Sequence, residues 1–268
     1  MSMGVQQRLL EKLREIAATA GKAIMAVYER DFTVEFKDDN SPLTEADRTS
    51  HEIIRDRLAT LTPTLPVLSE ESSPEEIRDR TDWGCFWLVD PLDGTKEFLK
   101  RNDEFTVNIA LIKRNRATLG IVLAPALGIS YEGALGLGAW RRSADGLSTP
   151  VRVSTARPKP RVVSSRSHPS KSLADYLKTL GPHELKTMGS SLKICLVADG
   201  QADICRRLAP TSEWDTAAAQ AILESAGGVM MDLFGQPLRY NTKEDLLNPH
   251  FLAFGDRGRD WLRAVRGD

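Results

Sequence analysis

The segment from Trp87 to Phe98 reads WLVDPLDGTKEF, an apolar run that delivers two aspartates three positions apart, Asp90 and Asp93. Pro91 fixes φ and has no N–H, so the chain turns directly after Asp90. The Leu92 carbonyl can face the same side, Gly94 permits close backbone approach, and Thr95 stands where a helix can begin. Two carboxylates and a carbonyl converging from one turn form a hard-oxygen set suited to Mg²⁺. N–H groups at a helix start suit a phosphate. An acidic turn closed by an Asx cap would leave the same letters in DPLDG alone. The apolar strand leading into it favours the ligand reading, because buried carboxylates need partners.

Three further acidic positions carry the same double reading. LSEES places Glu70 and Glu71 after the short apolar run LPVL. Adjacent carboxylates repel unless a cation or hydrogen-bond donors stand nearby, and in isolation the segment reads as an exposed acidic turn. EWDTAAAQAILESAGG puts Asp215 just before an Ala-rich helix, where Asp is a preferred N-cap. A capping carboxylate still keeps a second oxygen for a cation. In SPLTEADRTS, Thr44 and Asp47 have the spacing of a capping box with Asp in place of the usual Glu.

Polar loops supply the groups that could choose a substrate. Ser164-Ser165-Arg166-Ser167-His168 follows a predicted strand, and Gly189-Ser190-Ser191-Leu192-Lys193 opens a predicted helix. Hydroxyls and N–H groups at such a start can hold a second phosphate, with Lys193 as a point charge. Arg166 could grip phosphate bidentately or stack on a base. Each segment taken alone reads equally as a polar loop or a helix cap, and His168 equally as a surface residue. GALGLGA, residues 133–139, has the outline of a dinucleotide-binding loop. It follows a hairpin-like strand and opens no helix, so its context is wrong.

These residues need elements to hold them. Leu9, Leu13, Ile16, Ala20, Ile24 and Val27 recur at spacings of three and four, which predicts an amphipathic N-terminal helix. A polar loop, KDDNSP, precedes a second helix that starts near Thr44. CFWLVD reads as a buried strand, and TVNIALIK, TLGIVLAP and ISYEGAL as neighbours in a largely antiparallel sheet. STPVRVSTARPKPR marks the expected boundary between an N-terminal half, 1–150, and a C-terminal half, 151–268. Beyond it RVVSS, helices near Ser170–Leu180, from about Ser190 and from Asp215 to Ala226, then VMMDL and FLAFG, alternate as in an α/β layer.

Composition excludes several classes. The 268 residues are 41% hydrophobic and 27% charged, with 36 basic against 37 acidic side chains and a net charge of −1. A protein that wraps long nucleic acid shows a basic excess, because phosphate neutralisation supplies most of its affinity. A nucleotide ligand must therefore be small. The three cysteines are an odd number without a CxxC, which points to free thiols in a reducing compartment. Charged residues interrupt any signal-like run at the N-terminus, and no apolar stretch reaches the roughly 20 residues of a membrane span. A cytoplasmic location is expected. Peripheral membrane contact and oligomeric state are left open.

LSEES, WLVDPLDGT and WDTAAA with its following GG, in that order, resemble the lithium-sensitive inositol monophosphatase superfamily over nearly the whole chain. Within it the chain is similar to the bacterial 3'(2'),5'-bisphosphate nucleotidases of the CysQ type, on DGTKEFLKRNDEFTVNIALI, VVSSRSH and GSSLKICLVADGQAD. Inositol monophosphatases generally read DGTTNF where this chain has DGTKEF. The resemblance implies an α+β and α/β architecture, a layered α-β-α-β-α sandwich. It implies two or three Mg²⁺ ions held by Glu70, Asp90, the Leu92 carbonyl, Asp93 and Asp215, with Asp90 bridging two of them. Asp47, Thr95 and Glu70 would activate water. Asp93, Gly94, Thr95, Ser165, Arg166, His168, Ser190, Ser191, Lys193 and Asp215 would touch substrate. The implied reaction is direct hydrolysis of the 3'-phosphate of adenosine 3',5'-bisphosphate, and of its sulfated precursor, in sulfur assimilation. The alternatives are a phosphatase of inositol or sugar phosphates with the same fold, and a non-catalytic nucleotide or metal sensor.

Overall fold

The computed structural model describes residues 1–30, 34–36, 42–155, 157–166 and 171–266, and His168 lies outside them. The chain opens with α1 (Met3–Tyr28), a two-stranded ribbon of β1 (Val34–Phe36) and β2 (Pro42–Thr44), and α2 (Glu45–Leu61). A seven-stranded sheet follows, in spatial order β3 (Val67–Ser69), β4 (Cys85–Asp93), β5 (Thr106–Lys113), β6 (Arg116–Ala124), β7 (Ile129–Ala134), β8 (Gly138–Arg142) and β9 (Ser148–Pro150). Every pairing in it is antiparallel except β3 with β4. One turn of helix, α3 (Thr95–Leu99), joins β4 to β5.

The C-terminal half holds β10 (Arg161–Ser165), α4 (Lys171–Leu180), β11 (Glu184–Met188), α5 (Leu192–Ala198), β12 (Ile204–Arg207), α6 (Trp214–Ser225), β13 (Val229–Asp232), β14 (Phe251–Phe254) and α7 (Arg263–Arg266). Its five strands lie in the order β11-β10-β12-β14-β13. β10 pairs in parallel with both neighbours, whereas β14 runs antiparallel to β12 and β13. The expected α/β layer is thus a mixed sheet.

Packing stacks these parts in five layers, α-β-α-β-α. The stripe Leu10, Leu13, Ile16, Ala20, Ile24 and Val27 on α1, with Ile54 and Leu58 of α2, closes over Trp87, Val89, Ile109 and Ile121 of the seven-stranded sheet. α5 and α6 fill the middle, against the opposite face of that sheet and the inner face of the other. On the far side Tyr176 of α4 and Trp261 cover Val162, Ile204 and Leu252. α6 is buried through Ala217, Ala218, Ala219, Ala221, Ile222 and Leu223, which explains an Ala-rich helix that is apolar nearly all round. It lies directly on β6: a Cβ at Gly120 would stand 2.5 Å from the Ala218 carbonyl oxygen.

The first sheet ends at Pro150 and the second begins at Arg161. α6 belongs to the second half by sequence and to the first sheet's core by contact. GALGLGA forms the tight hairpin between β7 and β8, with Ala134 opposite Gly138. Cys85, Cys195 and Cys205 are free thiols. Among the described residues, no helix is long and apolar enough to cross a membrane.

Candidate active site

In a regular strand, residues three apart point to opposite faces. β4 escapes this rule by an irregularity between Asp90 and Asp93: Asp90 pairs with Asn108 and Asp93 with Thr106, so three steps on one strand oppose two on the other. Pro91 sits in the bulge, where the missing donor breaks no ladder bond. Asp90, 1% exposed, accepts the Leu92 N–H on Oδ1 at 3.0 Å. Asp93 Oδ2 accepts from the Ser191 N–H at 2.6 Å and from Asn108 Nδ2 at 3.2 Å. Gly94 follows in a left-handed conformation, φ 90°, and starts α3. Thr95 Oγ1 lies 3.4 Å from the Leu92 carbonyl oxygen.

One face of α2 looks onto this turn. Ser50 Oγ donates to the Pro91 carbonyl at 2.8 Å, and His51 Nδ1 is 2.9 Å from Ser69 Oγ, beside Glu70. Asp47 sits one turn before Ser50 and His51 and is buried. The capping box is real: Asp47 Oδ2 accepts from the Thr44 N–H at 2.7 Å and from Thr44 Oγ1 at 2.6 Å. Glu70 donates its N–H to the Val89 carbonyl at 3.1 Å, which places it at the end of β3 next to the acidic turn. Asp215 is not the N-cap that its sequence position suggests. Glu213 takes that place, and Asp215 lies in the first turn of α6 with Oδ2 accepting the Ser212 N–H at 2.9 Å.

One oxygen each from Asp90, Asp93 and Asp215 lie within 4.8 Å of one another. Burial drives Asp90 well above the ordinary carboxylate range, and the charges of Glu70, Asp93 and Asp215 push it further. Asp215 is raised by burial and then by Asp93 and Glu70. Asp93 is raised by burial despite the opposing charge of Lys193. Such a cluster of acceptor-only groups, crowded and desolvated, fits hard divalent cations at these oxygens.

A cleft of about 210 Å³ opens beside the cluster, with Glu70, Asp93, Asp215, Lys193 and Arg207 among its walls. Gly94, Thr95, Lys96, Glu97, Ser165 and Ser190 complete it. Ser190 holds φ at 44°, and a Cβ at Gly189 would meet the Glu104 carbonyl oxygen at 2.6 Å, so the GSS turn needs its glycine. Ser191 is buried: its hydroxyl bonds Asn108 Oδ1 at 2.8 Å. Lys193 Nζ donates to the Ser190 carbonyl, and burial lowers its pKa. Arg166 stands apart from the cleft lining. Its guanidinium makes a bidentate pair with Glu104, at 2.7 and 2.6 Å, and Glu104 also accepts the Gly189 N–H.

Arg207 was not anticipated from sequence. It ends β12 with Nε on Thr211 Oγ1 at 2.6 Å, and its charge acts on both Asp215 and Lys193. The signal was faint: an arginine eight residues before an aspartate has no local meaning. A larger groove, about 610 Å³, runs between α1 and the β6–β7 hairpin. Its walls are mostly apolar, with Glu29 as their one carboxylate.

The sequence profile of the inositol monophosphatase family matches residues 5–255. The chain belongs to the inositol monophosphatase family. A relative from Escherichia coli (strain K12) named 3'(2'),5'-bisphosphate nucleotidase CysQ is 49% identical over 246 residues, covering 91% of this chain and 98% of that protein. The protein of that name from Salmonella typhimurium is 50% identical over the same length. Among solved structures, CysQ from Bacteroides thetaiotaomicron, a bacterial member of the family, superposes with a TM-score of 0.80 at 41% identity, over 94% of this chain and 98% of that one. An IMPase of Thermotoga maritima has the same TM-score at 22% identity, a likeness of fold alone. Enzymes of this family use divalent metals, in keeping with the carboxylate cluster.

Proposed function

We propose that this member of the inositol monophosphatase family is a Mg²⁺-dependent 3'(2'),5'-bisphosphate nucleotidase. It removes the 3'-phosphate of adenosine 3',5'-bisphosphate, or of its sulfated precursor, and leaves the 5'-nucleotide and inorganic phosphate. The observation that carries this reading is that one cleft is lined both by the acidic residues Glu70, Asp93 and Asp215 and by the cations Lys193 and Arg207. A substrate with two phosphates can engage both. An inositol monophosphate has one phosphate, which would leave the second cationic group without a partner. The names of the nearly half-identical relatives agree with the nucleotidase.

Glu70, Asp90, the Leu92 carbonyl, Asp93 and Asp215 are the groups that would hold two or three Mg²⁺ ions. Bound there, Mg²⁺ would neutralise phosphate oxygens, acidify water and stabilise the leaving alkoxide. The chain's own residues do the rest. Thr95 Oγ1, at the start of α3, positions the attacking water, and the Asp47 carboxylate, anchored by Thr44, receives its proton. Gly94 keeps the approach to phosphorus clear of a side chain. Lys193 and Arg207, with the Ser165 and Ser190 hydroxyls, orient the phosphate that stays. No Cys or Ser stands as a nucleophile in this scheme, so no phosphoenzyme forms.

The test is phosphate release from adenosine 3',5'-bisphosphate and from inositol 1-phosphate, with and without Mg²⁺ and with added Li⁺. The bisphosphate should be the better substrate, Mg²⁺ should be required, and Li⁺ should inhibit where Na⁺ does not. Full activity in excess EDTA would exclude the metal mechanism, and preference for inositol 1-phosphate would exclude the nucleotidase.

A further inference from the structure

Arg80 takes no part in the chemistry above. It opens a short 3₁₀ turn, Arg80–Asp82, just ahead of β4, and is only 7% exposed. Its guanidinium crosses to the loop of residues 240–248. Nη1 donates to Asn241 Oδ1, and Nη2 donates to the carbonyls of Lys243, at 3.1 Å, and Glu244. Asn241 Nδ2 donates back to the Arg80 carbonyl. Asn241 stands at φ 56°, a left-handed conformation that Asn adopts more readily than most residues.

That loop grips the start of α6. The Asn241 N–H donates to Glu213 Oε2 at 2.7 Å, and the Glu213 N–H to the Leu246 carbonyl at 2.8 Å. Asn248 bonds the Thr211 carbonyl through its N–H, at 2.8 Å, and the Ser212 carbonyl through Nδ2, at 2.7 Å. Ser212 in turn donates its N–H to Asp215. Asp90 and Asp93 arrive on β4, directly after Arg80, whereas Asp215 arrives on α6. The carboxylates repel one another, so their spacing must be imposed by groups outside the cluster. Arg80 joins the two segments that bring them together.

We infer that Arg80 is a positioning residue for the metal centre: by clamping the 240–248 loop onto the start of α6, it sets the distance of Asp215 from Asp90 and Asp93. This rests on the metal-centre reading given above. A planar fork is required, since three acceptors in different directions are met by one guanidinium, and a lysine ammonium cannot reproduce that geometry. Groups that orient metal ligands from outside typically change metal affinity tenfold to a hundredfold when lost.

The experiment titrates metal-free protein with Mn²⁺, reading free ion by electron paramagnetic resonance, below the unfolding temperature of every variant. Arg80→Met and Arg80→Lys should both raise the Mn²⁺ dissociation constant about tenfold to a hundredfold. Steady-state activity should show a lowered kcat, recovered in part by added metal, with KM for substrate unchanged. Asn241→Gly keeps the left-handed backbone and its N–H to Glu213 but loses both bonds to Arg80, so it should act in the same direction even if Arg80→Met fails to fold. Arg161→Met, which breaks an ion pair with Asp203 outside the 240–248 loop and the start of α6, serves as control: it should lower Tm and leave Mn²⁺ affinity alone. Folded Arg80→Lys and Asn241→Gly variants that bind Mn²⁺ like the parent would overturn the inference and leave Arg80 a brace. A parent protein that binds no Mn²⁺ would instead overturn the metal centre itself.

Discussion

Ser191 donates its backbone N–H to Asp93 Oδ2 at 2.6 Å, across 98 positions of sequence. The bond ties the bulge of β4 to the residue just before α5. With Asn108 Nδ2 on the same oxygen, it stops the carboxylate from rotating away from Asp90 and Asp215. Asp93 is thus held by the fold before any cation arrives, which is the preorganisation a metal site needs.

Asp93→Asn should abolish Mg²⁺-dependent turnover and leave the fold intact. One charge fewer relieves repulsion in a buried cluster, so Tm of the metal-free protein should stay level or rise slightly. Phosphate release and thermal unfolding on the same preparation check both halves. Normal turnover would remove Asp93 from the metal shell.

Lys193→Ala and Arg207→Ala should weaken adenosine 3',5'-bisphosphate selectively against inositol 1-phosphate. A charge-assisted contact to phosphate contributes about 1.5 to 3 kcal/mol, or roughly tenfold to hundredfold in kcat/KM. Arg166→Ala should cost less than either, because its guanidinium is engaged by Glu104. Equal losses on both substrates would assign these cations to the reacting phosphate.

Gly120→Ala should destabilise the protein. Its Cβ would come within 2.8 Å of Ala218 Cα and closer still to the carbonyl oxygen, backbone atoms that can yield only if α6 lifts from β6. Overpacking of this kind costs about 1 to 3 kcal/mol. A denaturant midpoint equal to that of the parent would show that α6 and β6 do not depend on this close contact.

Acid should erase the contribution of the buried Asp203–Arg161 pair. Burial alone would raise Asp203, but hydrogen bonds from the Arg161 side chain and backbone and from Ser154 outweigh it and hold the carboxyl below its ordinary value. The unfolded carboxyl titrates at about pH 3.9, so the pair stabilises fully above that and fades as pH falls through the lower folded value. The Tm difference between the parent and Asp203→Asn should be constant near neutrality and shrink below about pH 4. A difference that widens in acid would contradict the direction of the shift.

By itself the sequence determined the local units. The spacing of apolar residues from Leu9 to Val27 is visible in α1, and TVNIALIK coincides with β5 from Thr106 to Lys113. Periodicity of this kind is short-range, so the letters alone carry it. The five layers and the acidic motifs were legible through resemblance to a family whose profile spans residues 5–255. β11 and β12 escaped notice because ELKTM is largely exposed with two charged residues, and ICRR is four residues long.

Only the tertiary structure decided how the motifs are held. The bulge turns Asp93 to the side of Asp90, Glu213 displaces Asp215 from the cap of α6, and Glu104 occupies Arg166. Ser50 reaches Pro91 across 41 positions, Arg207 enters the cleft from the end of β12, and Arg80 reaches Glu244 across 164. Each is a contact between segments far apart in the chain. Local preference cannot encode such a contact: it forms because burying the two cores brings those backbones together, and the polar groups trapped there must then find one another.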